Sequence, residues 1–342
     1  GGRWVHEQYI FMKYYPDYWR GWDSSSRQSY GANIVGSHIK EVLIKKNNDQ
    51  SSRILELLSG SADMVSVYPQ YREEVIGQEG IDYIPRLDSL SMGFMGFNHN
   101  ITNFEETAPS ADFFKNKDIR KAFCYSFDYD TFITDIKDGY GFQPTGPIPK
   151  GFTGYNSDGP KYSYDLEMAE MHFKEAGVWE TGFTITAYYN TGNIDRENGL
   201  LLLENSIESL NDNFDIVVEG LEWPTYLDKY YAKEMSLFFL GWGPDYADPH
   251  NYAHPFLHSD GHYPHTLDFS NSEIDSIIME AASESDVNDR TNLYHQLAYL
   301  EHEEAYFIWT HQAISYHFER DWINGWYSNT MHSTLFYMIS KT

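Results

Sequence analysis

Short strand-like and helix-like patterns alternate along most of this chain, and this alternation constrains the fold more than any other feature. The segment Gly182–Tyr189 reads as a strand, a helical pattern follows it, and the order repeats through the wholly apolar run Leu237–Leu240. Such short apolar runs between helices are typical of buried strands, so the chain is predicted to form an α/β fold. The segments concerned are strands at 182–189, 214–220 and 237–240 and helices at 165–176, 196–210, 223–233, 272–280 and 286–302.

The amino-terminal quarter follows the same pattern. Strands are predicted over 9–15, 39–44 and 61–68 from their apolar and aromatic residues. A short leucine-rich helix lies between the last two, with Ser51-Ser52 as its cap and Ser59-Gly60 at its end. Pro69 is expected to open a further helix that runs to about Ile76.

Five further segments complete the prediction. Apolar spacing indicates a long helix over 117–138, whereas the glycine- and proline-rich residues 139–160 and the residues 243–271 are expected to be loops. Alternating small and large residues over 90–98 suit a strand packed closely against its neighbours. The aromatic tail from Trp322 to Ile339 is read as strand.

Composition limits the possible functions. The 342 residues suffice for two domains or one bilobal unit, and 24 Lys and Arg against 51 Asp and Glu give a net charge of −27, which disfavours a nucleic-acid partner. The single cysteine excludes an intrachain disulfide framework and suits an exported protein. Because the chain opens at once into a strand-like pattern, we expect it to be part of a longer precursor.

The strongest local signal is the run 240–249, Leu-Gly-Trp-Gly-Pro-Asp-Tyr-Ala-Asp-Pro. It is a buried strand that ends in a turn carrying an indole and two carboxylates, and open α/β sheets bind ligands beyond the carboxyl ends of their strands. Asp245 beside an aromatic wall could hold a ligand cation or a polar sugar edge. The alternative is a tight turn in which Asp248-Pro249 supplies only turn chemistry.

A series of histidines follows that turn, and two of them four residues apart would share a helix face and could bind a metal. Pro255, Gly261 and Pro264 interrupt such a helix, so solvated loop histidines are favoured and no metal site is assigned. The series is His250, His254, His258, His262 and His265.

Several stretches together resemble the oligopeptide- and dipeptide-type solute-binding proteins of ABC importers. The run 241–249 looks like the hallmark of that family, and other segments agree in the same order along the chain. They are 15–19 (Tyr-Pro-Asp-Tyr-Trp), 59–63 (Ser-Gly-Ser-Ala-Asp), 93–98 (Gly-Phe-Met-Gly-Phe-Asn), 118–123 (Asp-Ile-Arg-Lys-Ala-Phe), 146–149 (Gly-Pro-Ile-Pro) and 322–326 (Trp-Ile-Asn-Gly-Trp).

The resemblance implies a bilobal α/β fold of the periplasmic-binding-protein type. Residues 1–97 and 305–342 would belong to the first lobe and residues 98–304 to the second, with hinge strands near Phe94–Asn98 and Tyr306–Trp309. Because the match covers the carboxyl-terminal two-thirds of the family pattern, the first part of lobe one and a small extra domain are expected to be missing from this chain.

The resemblance also implies a set of ligand-binding residues. Asp245 would pair with a ligand ammonium, and the strand at Gly241–Gly243 would hydrogen-bond a peptide backbone. Arg196 lies near the position where dipeptide binders place an arginine for the ligand carboxylate, and a solvated charge at a helix start is the alternative. Phe239 stands where some long-peptide binders carry an arginine. The full substrate-binding set is Asp245, Trp242, Gly241, Gly243, Tyr246, Phe97, Asn98 and Arg196.

The function implied is that of an extracytoplasmic binding protein of an ABC importer, which holds peptides in an interlobe cleft that closes by hinge motion. The expected partners are the peptide, the ABC permease and an amino-terminal fragment of the same precursor. We expect the protein at the cell surface or in the periplasm, tethered to the membrane, with no catalytic residue and no cofactor. The alternatives are an oligosaccharide binder, because aromatic residues make up 17% of the chain, and a secreted glycoside hydrolase.

Overall fold

The computed structural model describes residues 2–6, 8–29, 31 and 37–342. The remaining positions, 1, 7, 30 and 32–36, belong to the segment expected to form the first lobe and lie outside the described residues. The strands are β1 (Gly2–Val5), β2 (Tyr9–Lys13), β3 (Ser37–His38), β4 (Glu41–Lys45), β5 (Ile81–Phe97), β6 (Gly141–Phe142), β7 (Phe183–Asn190), β8 (Phe214–Leu221), β9 (Leu237–Trp242), β10 (Phe307–Arg320), β11 (Ile323–Asn324) and β12 (Ser340–Lys341).

The helices alternate with these strands. They are α1 (Ser24–Ser29), α2 (Gln50–Leu58), α3 (Lys117–Ser126), α4 (Tyr129–Thr131), α5 (Leu166–Glu175), α6 (Ile194–Glu208), α7 (Trp223–Tyr231), α8 (His250–Leu257), α9 (His262–Leu267), α10 (Ser272–Ser283) and α11 (Val287–Glu304). Short 3-10 helices include Pro69–Glu74, where the sequence predicted a helix after Pro69. None of the helices in the described residues is both long and apolar enough to cross a bilayer.

The chain divides into two units, residues 1–88 with 314–342 and residues 89–313. The chain therefore passes between the units twice, within β5 and within β10. The hinge positions expected at Phe94–Asn98 and Tyr306–Trp309 both fall inside the second unit.

The second unit is built on a sheet in the order β6-β10-β5-β9-β7-β8. Its centre is the antiparallel pair β5 and β9, in which Met92 to Phe97 face Trp242 to Leu237. Residues of α3, α5 and α6 form an apolar cluster with one set of strand side chains, including Met95 and Phe239. Residues of α7 to α11 form a second cluster with the alternate set, including Phe94 and Leu240. Alternation along the strands thus places a core on each face of the sheet.

The first unit contains two small sheets, β1-β2-β4 and β11-β12-β3. Its apolar cluster is small and centres on Ile54, Leu57, Val67, Val75 and Phe318. The β1-β2-β4 sheet leaves Trp4 68% exposed and Leu43 55% exposed. Helix α2 has a side-chain cap, but the capping residue is Asp49 and not the predicted Ser51-Ser52. The Asp49 side chain accepts a hydrogen bond from the Ser52 amide.

The strand predicted over 61–68 does not form. Apart from an isolated bridge between Met64 and Glu319, this segment is irregular. Its residues are mostly half-buried, and Tyr316 donates its hydroxyl hydrogen to the Val67 carbonyl. A side chain therefore satisfies a backbone group that a neighbouring strand would otherwise have paired.

The long helix predicted over 117–138 is broken at Phe127. This residue is fully buried and extended, with φ −86° and ψ 121°. The Asp128 carboxylate accepts the Thr131 amide at 3.0 Å, so a new helical turn begins there and continues as the π-helical turn Phe132–Ile136. A buried aromatic and an N-cap residue thus override the continuous helical spacing.

The loop predicted over 243–271 contains the helices α8 and α9. Pro264 lies in the first turn of α9, where its missing amide hydrogen costs no helical bond, and Pro255 lies two residues before the end of α8. The predicted strand over 322–339 is also largely absent, because β11 and the 3-10 helix Phe336–Met338 are the regular elements described in that segment.

Candidate functional site

The carboxyl end of β9 lies on a patch of sheet that has no side chains. Gly93 of β5 and Gly241 of β9 are direct partners across the strand pair, so their missing side chains would point to the same face. A Cβ at Gly93 would lie 2.4 Å from the His311 ring, and a Cβ at Gly241 would lie 3.3 Å from Arg196 Nη2. The two glycines therefore leave room for the His311 ring and the Arg196 guanidinium, which pack close to this face of the sheet.

Arg196 is held in place by the first turn of α6. Its amide donates to the Asn193 side chain, which caps the helix, and its Nη1 donates to Asn190 Oδ1 at 2.5 Å. Burial lowers the pKa of Arg196. Arginine nevertheless keeps its proton in proteins. The guanidinium thus presents a fixed positive charge beside the backbone of Gly241.

Further charged and polar groups lie near Arg196 and His311. Lys137 Nζ and Asp195 Oδ2 form an ion pair at 2.5 Å. Burial, and next the charges of Lys137 and Arg196, lower the pKa of His311 well below its usual value, so this imidazole is neutral near pH 7. Sequence reasoning missed His311, Lys137 and Gly93 as site residues. The interruption of the apolar run of β10 by Thr310 and His311 was the available signal.

One edge of β9 is open at this end. Its ladder with β7 consists of Ala187 with Leu237 and Tyr188 with Phe238. The Phe239 carbonyl then accepts the Tyr226 hydroxyl instead of a strand amide. Among the described residues, Gly241 has no strand partner on the β7 side, and the residue is exposed. An extended ligand could pair with this edge.

The turn after β9 is pinned at several points. Arg290 donates both terminal nitrogens to Asp248, at 2.9 and 2.7 Å, and Asp248 also accepts the His250 amide. The buried Asn251 side chain accepts the Asp245 amide at 2.7 Å. Burial opposes ionisation of Asp248, but these hydrogen bonds outweigh it and lower its pKa. Asp248 thus has the structural role that its turn position suggested.

Asp245 itself is exposed at the tip of this pinned turn. Within the described residues, its carboxylate has no hydrogen-bond or ion-pair partner. The neighbouring Tyr246 is exposed, and its hydroxyl lies 2.9 Å from His250 Nδ1. The turn therefore presents a carboxylate on a fixed backbone with its charge unneutralised by the chain.

Trp242 lies on the opposite face of the sheet from the Gly93–Gly241 pair. Its ring contacts Phe256 and Tyr263 edge-on, with centroids 5.9 and 6.0 Å apart. Successive strand residues point to opposite faces, so Trp242 cannot line the same surface as Gly241. Gly243 lies on the same face as Gly241, where a Cβ would be 3.3 Å from Ser91 Oγ.

Phe97 and Asn98 do not lie with the other candidates. Phe97 pairs with Leu237 at the opposite end of the β5–β9 ladder and is fully buried against Phe114 and Phe123. Asn98 is also buried, and its amide donates to the carbonyls of Lys233 and Met235. Both residues hold the fold together. The structure therefore brings Arg196, Gly241 and Gly243 together at one end of β9, followed by Asp245 and Tyr246 in the turn.

The fold is similar to that of solved periplasmic binding proteins. The chain superposes on DppA from Helicobacter pylori in complex with the peptide STSA, with a TM-score of 0.81, 19% identity and coverage of 99% of this chain and 61% of that one. A dipeptide-binding protein from Pseudoalteromonas sp. SM9913 in complex with Met-Leu gives a TM-score of 0.82 at 16% identity, covering 99% and 63%.

Residues 2–264 match the family model of bacterial extracellular solute-binding proteins, family 5, middle region, and the chain belongs to this family. A curated relative is the probable D,D-dipeptide-binding periplasmic protein DdpA of Escherichia coli (strain K12), 24% identical over 277 residues. That match covers 80% of this chain and 51% of the relative, so the chain spans about half the length of that protein. The resemblance seen in the sequence is confirmed.

Proposed function

We propose that this protein captures peptides outside the cytoplasm and delivers them to the permease of an ABC importer, without chemical turnover. The observation that carries this proposal is the end of β9. There an open strand edge lies beside the Arg196 guanidinium, and the turn that follows presents the unpartnered Asp245 carboxylate. A peptide offers the complementary set, an extended backbone with an ammonium at one end and a carboxylate at the other.

In the proposed complex, peptide amides and carbonyls pair with the backbone of Gly241 to Gly243. Asp245 binds the terminal ammonium, and Arg196 binds the terminal carboxylate of a short peptide. Tyr246 would lie along the ligand. Trp242 supports the strand from its other face through Phe256 and Tyr263, which leaves it outside the proposed set of ligand contacts.

We further propose that the two units correspond to the family's lobes and that ligand is enclosed by hinge motion between them. The chain crosses between the units at residues 88–89 and 313–314. These crossings are better hinge candidates than Phe94–Asn98 and Tyr306–Trp309, because the latter contain fully buried residues of the second unit's sheet. Small-angle scattering should then show a smaller radius of gyration with peptide than without it.

Isothermal calorimetry with a free-amine peptide and its N-acetylated twin tests the role of Asp245. Removal of one partner from a desolvated ion pair costs about 2–5 kcal/mol, so wild-type protein should strongly prefer the free amine. The Asp245→Asn variant should lose this preference, because the substitution removes the charge and keeps the shape of the side chain. Asp260→Asn is a matched control, because Asp260 is an exposed carboxylate outside the turn. Equal affinity of the wild type for both peptides would contradict the assignment.

A C-amidated peptide tests Arg196 in the same way, with Arg196→Gln as the variant. The wild type should prefer the free carboxylate, and the variant should bind both peptides alike. Tight binding of an uncharged oligosaccharide, with no binding of any peptide, would instead favour the alternative of an oligosaccharide binder. Release of reducing sugar would favour the alternative of a glycoside hydrolase. Recovery of the protein from the membrane-associated or extracellular fraction of its native cell tests its location and its tethering at the cell surface.

A further inference from the structure

A row of three histidines lies on one side of α8 and its carboxyl-terminal cap. His250, His254 and His258 are spaced four residues apart, so their side chains share a helix face. The ring centroids of His250 and His254 are 5.2 Å apart, and those of His254 and His258 are 4.5 Å apart. The sequence argument expects Pro255, Gly261 and Pro264 to interrupt a helix here. The interruption at Gly261 is present between α8 and α9, but α8 continues through Pro255, so His250 and His254 lie on one helix.

The first pair has the spacing of two imidazoles that share one ion. With Zn–N bonds of about 2.0–2.1 Å and tetrahedral angles, two bound imidazole rings have centroids about 5 Å apart. The rings of His250 and His254 meet at 34°, so they are not stacked face to face. Their separation therefore needs little adjustment for both to reach a common ion.

The nitrogens of this pair are also available. His250 engages Tyr246 through Nδ1, which leaves Nε2 for a metal. A proton on Nδ1 that is donated to the tyrosine oxygen would fix the tautomer, as a hydrogen bond to the second ring nitrogen commonly does for metal-binding histidines. The His254 ring has no hydrogen bond to any of the described residues, so either ring nitrogen can act as a ligand.

His258 has a different role. Its ring is parallel to that of His254 within 9°, and a face-to-face stack does not direct the two rings' nitrogens toward one point. Its Nδ1 accepts the Asp260 amide at 3.1 Å, which places the proton of the neutral ring on Nε2. His258 thus supports the ring of His254 from the side and does not complete the ligand set.

The charges around the pair favour a cation. The carboxyl side chain of Asp248 lies near His250, and those of Asp260 and Asp275 lie near His254. The opposing positive group near His250 is Arg290, which is itself paired with Asp248.

We propose that His250 and His254 chelate a divalent transition-metal ion of the class that prefers imidazole, such as Zn²⁺, Ni²⁺ or Cu²⁺. Water completes the coordination. The site adjoins the pinned turn through Tyr246 but does not require a bound peptide, so it is independent of the proposed function. It would add a metal-responsive element beside the turn that carries Asp245.

Calorimetric titration of chelator-treated protein with ZnCl₂ and NiCl₂ tests the proposal. The wild type should bind one ion saturably. His250→Gln and His254→Gln should each weaken binding by at least the roughly 10- to 100-fold that loss of a supporting partner costs a metal site. His258→Gln should change the affinity only a few-fold. His265→Gln, an exposed histidine of α9, is the matched control and should bind as the wild type does.

A rival site makes the test discriminating. Asp118, His172 and Glu175 also bring three potential ligand atoms together, with His172 Nδ1 2.9 Å from Asp118 Oδ1 and 3.7 Å from Glu175 Oε2. Loss of binding in His172→Gln with normal binding in His254→Gln would move the site there and overturn the proposal. Absence of saturable binding in the wild type would also overturn it. Selective broadening of the His250 and His254 ring resonances by Ni²⁺ would support it.

Discussion

The two units of this chain bury their apolar residues to different extents. The second unit covers both faces of its six-stranded sheet with helices and has two large apolar clusters. The first unit has one small apolar cluster, and its β1-β2-β4 sheet leaves Trp4, Ile10, Leu43 and Ile44 exposed. Because burial of apolar area is the main stabilising contribution, we infer that the second unit is the more stable folding unit. The candidate site described above lies entirely in that unit.

The largest expected effects come from removing a core side chain in each unit. Phe123→Ala removes a fully buried ring that contacts Phe97, Phe114, Phe173 and Phe183, and should lower the unfolding free energy of the second unit by about 3–5 kcal/mol. Leu57→Ala should cost the first unit about 2–4 kcal/mol. Native-state hydrogen exchange should show each loss in its own unit. Equal loss of protection in both units from Leu57→Ala would break the comparison.

A second comparison uses the buried arginines. Arg120 donates to four backbone carbonyls, of Phe114, Lys115, Glu304 and Ala305, whereas Arg27 in the first unit donates to the carbonyls of Tyr337 and Ile339. Arg120→Met should cost about 3 kcal/mol, because it leaves more buried acceptors unsatisfied than Arg27→Met does. Denaturant unfolding measures both variants.

Lys121→Met is the control for Arg120→Met, since it removes only a surface ion pair with Glu303 and should cost less than about 1 kcal/mol. A loss for Lys121→Met equal to that for Arg120→Met would show that charge, and not carbonyl satisfaction, determines the effect.

Alkaline pH should destabilise the second unit through Glu301. Burial raises the pKa of this carboxyl group from 4.5 to about 8, although the Trp309 side chain and the Phe307 backbone act against the shift. Between those values the folded protein keeps a proton that the unfolded chain releases, so stability falls as pH rises. Glu301→Gln should flatten this dependence and gain about 2 kcal/mol at pH 9, less than full linkage gives, because glutamine stays polar and buried. Parallel melting curves of both proteins from pH 5 to 9 would contradict this.

The smallest expected effect is at the exposed sheet of the first unit. Leu43→Thr should change the unfolding free energy by less than about 0.5 kcal/mol, because Leu43 is 55% exposed. It should nonetheless reduce binding of a hydrophobic dye, since exposed apolar groups on strands attract such ligands. A large loss of stability would show that this face is covered in solution.

Sequence patterns were informative where local signals and packing agree. The strands and helices between Leu166 and Trp242 follow the predicted order, because the apolar runs of β7, β8 and β9 are buried as their composition indicates. The prediction failed where one side chain changes the local outcome. Asp128 starts a new helical turn inside an apparently continuous helix, and Tyr316 satisfies the Val67 carbonyl in place of a strand.

The candidate site was accessible to sequence reasoning only in part. The run 241–249 indicated the turn and Asp245, but the contact between Arg196 and Gly241 joins residues 45 positions apart and depends on tertiary packing. Because side chains alternate along a strand, the orientation of Trp242 follows once Gly241 is known to face Arg196. His311 gave a weak signal because a polar residue in a buried strand has many possible roles.

The packing beside Arg196 owes its space to two hydrogen atoms where other residues carry carbon. A single methyl group at Gly93 would collide with His311, and one at Gly241 would press on the guanidinium, while neither glycine has a backbone conformation that only glycine adopts. The demand for glycine at these two positions is therefore one of volume and not of backbone conformation. Under the proposed function, the smallest possible side chain at either position would disturb the groups beside the open strand edge and leave the backbone path unchanged.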